Sequence, residues 1–67
     1  MYRKSILLEN IVAFNKAVQK SGGIMDIISS YTDSEGDVMC YVAYTNPLTT
    51  DAIIEYERDR VIKTKGQ

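Results

Sequence analysis

Asp33, Glu35 and Asp37 stand at i, i+2 and i+4. That spacing belongs to oxygen-ligand calcium loops, in which alternate side chains converge on one hard cation. The rest of such a loop is missing. Gly36 falls at the wrong position, and no Glu stands where the bidentate ligand belongs. A solvated turn is expected here, and no metal site. General acid–base chemistry needs groups that titrate near neutrality, and the chain has no histidine. Cys40 is the single cysteine, and residues 21–57 hold no Lys or Arg that would favour its thiolate. It is expected to be a buried structural thiol in a reducing compartment, not a nucleophile. Gly22-Gly23 lacks the spacing and the following Lys-Ser/Thr of a phosphate loop. No catalytic residue, cofactor site or metal site is therefore expected, and the chain reads as a non-enzyme.

Tyrosine is the remaining chemistry. Tyr31, Tyr41, Tyr44 and Tyr56 fall in the middle of the chain. Tyrosines on a sheet can stack nucleic-acid bases, but that needs cations nearby for the phosphates. The surroundings are acidic instead. Core packing and a protein interface, where tyrosine is enriched, are the two better readings.

The net charge of −1 conceals a segregation. Arg3, Lys4, Lys16 and Lys20 against Glu9 give residues 1–20 a charge of +3. Asp26, Asp33, Glu35, Asp37, Asp51, Glu55 and Glu57 give residues 21–57 a charge of −7. Arg58, Arg60, Lys63 and Lys65 against Asp59 give residues 58–67 a charge of +3. The basic ends are expected to fold near the acidic middle and neutralise it, as the termini of a small domain lie close together. The one-sided basic footprint of a nucleic-acid binder is absent, so no direct nucleic-acid binding is expected.

The elements that would position these residues are those of one small domain. A chain of 67 residues buries only about 60% of the surface its unfolded form exposes. No apolar run approaches the roughly 18 residues of a membrane span. Ile6-Leu7-Leu8 is broken by Glu9-Asn10, which argues against a secretory leader. A cytoplasmic location is expected.

Residues 5–21 read as an amphipathic helix with Ser5 as N-cap. Leu7, Ile11, Phe14 and Val18 share one helical face, and Leu8, Val12 and Ala17 widen it. Gly22-Gly23 ends it. Residues 24–32 and 38–45 read as strands joined by the polar turn 33–37, which makes an antiparallel hairpin. Val38, Cys40, Val42 and Tyr44 take one face of the second strand, and Met39, Tyr41 and Ala43 the other. Asn46-Pro47 is a helix-start signal, with Thr50 or Asp51 as later alternatives. A helix over 47–62 follows, with pairs Glu55–Arg58, Glu57–Arg60 and Asp59–Lys63 and an end at Gly66. A third strand competes with it, because Ile53, Ile54, Tyr56, Val61 and Ile62 also suit a sheet.

The expected fold class is thus α+β: an α-β-β-α domain with two helices on one face of an antiparallel hairpin. Both faces of the second strand are apolar, and a lone hairpin has two open edges. A symmetric homodimer would cover them. The functional expectation is a small non-enzymatic accessory or inhibitor of the phage or mobile-element type, acting on a host protein. The alternative is a structural, self-associating domain. The expected interface has Tyr31, Met39, Tyr41 and Tyr44 as anchors and Asp33, Glu35 and Asp37 as an acidic rim.

Lys4-Ser5-Ile6-Leu7, with Tyr31 to Met39, faintly resembles the phage inhibitors of uracil-DNA glycosylase. In that family an acidic residue precedes the Ser-Ile pair and helps mimic DNA phosphate, whereas this chain has Lys4 there. The family is also strongly acidic, which this chain is not. The resemblance covers a small part of the chain and is not adopted. It leaves a DNA-mimic inhibitor as a third reading.

Overall fold

The computed structural model describes residues 1–62. Lys63 of the expected Asp59–Lys63 pair and the expected stop at Gly66 lie outside the described residues. The chain runs β1 (Tyr2–Leu7), a 3-10 turn (Leu8–Asn10), α1 (Ile11–Lys20), β2 (Met25–Thr32), β3 (Val38–Tyr44) and α2 (Thr50–Asp59). The strands form one antiparallel sheet in the order β1-β3-β2. The α+β class and the central hairpin are as expected, and the last element is a helix.

The third strand comes from the other end of the chain. The helix does not begin at Ser5, which lies within β1 opposite Tyr41 and caps nothing. Strand β3 would otherwise leave one row of N–H and C=O groups unpaired. Pairing from Tyr2↔Tyr44 to Leu7↔Met39 satisfies that row. A first helical turn, costly to nucleate, cannot offer as much. Helix α1 therefore starts at Ile11, and the apolar stripe divides. Ile6 enters the core from β1, Ile11, Phe14 and Val18 enter from α1, and Leu8 and Val12 stay exposed.

Helix α1 stops where glycine was expected to stop it. Gly22 has φ +81°, a conformation that only glycine adopts without strain. Its N–H donates to the Gln19 carbonyl at 3.0 Å, and the Gly23 N–H reaches the Val18 carbonyl at 2.9 Å. These two bonds satisfy carbonyls the helix leaves open. The turn between β2 and β3 uses Gly36 at φ +87°. The Gly36 N–H donates to the Asp33 carbonyl at 3.1 Å, and the Asp33 N–H to the Asp37 carbonyl at 2.9 Å.

Helix α2 begins later than Asn46-Pro47. Its cap is Thr49, whose hydroxyl accepts from the Ala52 N–H at 3.3 Å. Asn46 is engaged elsewhere: its Nδ2 donates to the Ser21 carbonyl at 3.3 Å. The Thr49 N–H also donates to Ser21 Oγ at 3.0 Å. Asn46, expected to open the second helix, thus joins Thr49 in fastening it to the end of the first.

The core lies on one side of the sheet. Ile6, Phe14, Val18, Cys40 and Val42 form its centre, with Met25, Tyr44, Leu48 and Tyr56 packed around them. Each large side chain buried there contributes roughly 1.5–3 kcal/mol. Both helices lie on this side, α1 against the sheet and α2 against α1. Phe14 joins the layers, edge-on to Tyr44 at 5.2 Å and to Tyr56 at 5.4 Å. Glu55 pairs across the helices with Lys20 at 3.0 Å rather than along α2 with Arg58. Among the described residues no helix is long and apolar enough to cross a membrane.

Candidate protein-binding surface

Side chains alternate across a strand, so the register assigns each residue to a face. Arg3, Ser5 and Leu7 of β1 stand with Ala43, Tyr41 and Met39 of β3 on the side away from the helices. Asp26, Ser29 and Tyr31 of β2 join them through the same partners. The β2 register shifts between Ile27 and Ser29, leaving Ile28 as an extra residue. This bulge reverses the strand's parity and so places Tyr31 on the open face.

Tyr31, Met39 and Tyr41 are therefore brought together, as the expected interface requires. Met39 and Tyr41 are half-buried in the middle of the face. Tyr31 leans over β3, and its hydroxyl donates to Ser5 Oγ on β1 at 3.0 Å. Ala43 is 5% exposed. Ile24, just before β2, and Ile28 within it are exposed, as is every residue of that strand after Met25.

Tyr44 is a correction. It lies three residues beyond Tyr41, hence on the opposite face, where it stacks on Tyr2 at 5.5 Å and meets Phe14. It is a core-edge residue, separated from the other three anchors by the sheet. Tyr56 is likewise turned inward, and burial raises its phenol above the ordinary tyrosine pKa.

The acidic residues lie in the turn at one end of the sheet. The carboxylates of Asp33, Glu35 and Asp37 lie within 4.8 Å of one another. Asp33 builds the turn, for its Oδ1 accepts from the N–H of Glu35 at 3.0 Å and of Asp37 at 2.9 Å. All three take part in further interactions. A groove of about 460 Å³ lies between this turn, β1 and the end of α2, and its lining includes Lys4 and Arg60. Cys40 is buried under the helices, on the side opposite the open face.

Reading by composition missed Ser5, which sits in a strand rather than a cap, and the whole of β1. It also missed Asn10, a buried residue at the start of α1. The signal was present in Glu9-Asn10, a polar break between two apolar runs that marks the true helix start. Comparison of the chain with protein-family models, curated proteins and solved structures gives no match.

Proposed function

We propose that this chain is a small non-enzymatic protein-binding module, an accessory or inhibitor of the phage or mobile-element kind. It acts by laying the open face of its sheet on a partner protein. The observation that carries this reading is the convergence of Tyr31, Met39 and Tyr41 on one face that no described element covers. Aromatic and Met side chains are enriched at interfaces. The Asp33–Asp37 turn is the proposed acidic rim of the contact. The buried thiol of Cys40 suits the reducing cytoplasm.

The test is affinity capture with the immobilised protein, run beside two variants of equal stability. Tyr41→Asp alters the open face, and Val12→Asp alters the exposed side of α1. A partner retained by Val12→Asp and lost by Tyr41→Asp supports the reading. The reverse pattern overturns it. Self-association is a second reading, favoured by the opposite charges of the two outer strands.

A further inference from the structure

β1 and β2 are the outer strands of the sheet, and among the described residues no strand pairs with the outer edge of either. Exposed edges are templates for pairing with another chain unless charge or shape opposes it. Strand β1 carries Arg3 and Lys4 and no acid, whereas β2 carries Asp26 and no base. The heights of these residues also match. Both strands are antiparallel to β3, so they run in the same direction. Tyr2 and Met25 both pair with Tyr44, Arg3 and Asp26 both with Ala43, and Leu7 and Tyr31 both with Met39. Arg3 and Asp26 therefore stand level, on the same face, at opposite edges.

A second copy displaced sideways, helices on the same side, brings its β1 parallel to this β2. Its Arg3 then meets Asp26, and its Leu7 meets Tyr31. The two-fold pairings have no such match. Pairing β2 with β2 about the strand centre sets each Asp26 opposite Tyr31 of the other copy, with no base on either strand to meet it. Pairing β1 with β1 gathers two copies each of Arg3 and Lys4. Like charges on adjacent strands oppose pairing.

We infer that the chain associates with itself head to tail, β1 of one copy adding to β2 of the next, with Arg3 against Asp26 selecting this arrangement. Such a contact does not close on two copies, so association continues past the dimer. The bulge at Ile28 shortens the ladder and keeps the contact weak and reversible. This inference goes beyond partner binding and holds without it, because the edges used are not the open face.

Sedimentation equilibrium from micromolar to millimolar concentration tests it, with wild type, Arg3→Glu, Asp26→Lys and an equimolar mixture of the two variants. Both sites are exposed, and thermal unfolding checks that each variant is folded. Wild type should exceed twice the chain mass at high concentration and fall back in high salt. Each single variant should associate more weakly, on the order of tenfold. The mixture should recover, because each variant's β1 then meets the opposite charge on the other's β2. A monomer throughout, a plateau at the dimer mass, or a mixture no stronger than its components overturns the inference.

Discussion

Asn10 and Val61 hold each other through two hydrogen bonds across almost the whole chain. Asn10 Nδ2 donates to the Val61 carbonyl at 2.9 Å, and the Val61 N–H donates to Asn10 Oδ1 at 2.6 Å. The amide side chain copies the pairing of a strand residue. Asn10 is only 4% exposed and is the one buried polar residue among those described. It stands at the N-cap of α1 yet makes no cap bond, its amide being committed to the segment after α2. The structure thereby ties the start of the first helix to the residues that follow the last.

Asn10→Ala removes both bonds and leaves a small void. A net loss of roughly 1–3 kcal/mol is expected, a large share of the stability of so small a domain. Chemical denaturation measures it. A loss below about 0.5 kcal/mol, the low end for one hydrogen bond, contradicts the pairing.

Gly22→Ala places a side chain at φ +81° and is expected to cost about 1–2 kcal/mol. Gly23→Ala tests space instead. Its Cβ would lie 3.0 Å from Thr45 Oγ1 and 3.2 Å from Asn46 Cβ, so the loop before α2 must give way. A shift of the Thr45 resonances in Gly23→Ala, with little change there in Gly22→Ala, is the expected NMR result.

The Lys20–Glu55 pair predicts an acid-side effect. The hydrogen bond and charge of Lys20 hold the Glu55 carboxyl below the usual Glu range. A carboxylate depressed by folding adds stability above its unfolded pKa, and that stability is lost as pH falls through the lowered folded value. The stability difference between wild type and Glu55→Gln should be constant near neutrality and vanish in acid. Both groups are solvent-accessible, so the difference is small and shrinks in salt. A difference that grows in acid contradicts the pairing.

Tyr31→Phe removes the hydroxyl bond to Ser5 and keeps the ring. The bond lies at the surface, so the loss should stay under about 1 kcal/mol by thermal unfolding. Tyr31→Ala removes the ring as well and should uncover Met39 and Tyr41. Partner capture should then fall for Tyr31→Ala and hardly change for Tyr31→Phe.

The hairpin was legible because its signals are local. Alternation in Val38–Tyr44 and a Gly-containing polar turn need nothing beyond their own neighbours. The stop at Gly22 was legible for the same reason. Strand β1 was not, since Tyr2–Leu7 has no strong alternation of its own and becomes a strand only where β3 needs a partner. Leu7 fitted a helical face by spacing alone. Asn46-Pro47 has a cap's chemistry, but the Ser21 carbonyl claims the Asn46 amide and the helix waits for Thr49. Of the expected anchors, Tyr31 reached the open face through a bulge that no local pattern announces. Tyr44 was excluded from it by strand parity, which the sequence did contain.

The decisive measurement is an NMR footprint of the captured partner on the isotope-labelled chain. Contact through the open face predicts shifts concentrated at Tyr31, Met39, Tyr41 and the Asp33–Asp37 turn, with Val12 and Ile54 unmoved. Shifts confined to Val12, Ile54 and their neighbours on the helices, with the sheet face unchanged, would contradict it.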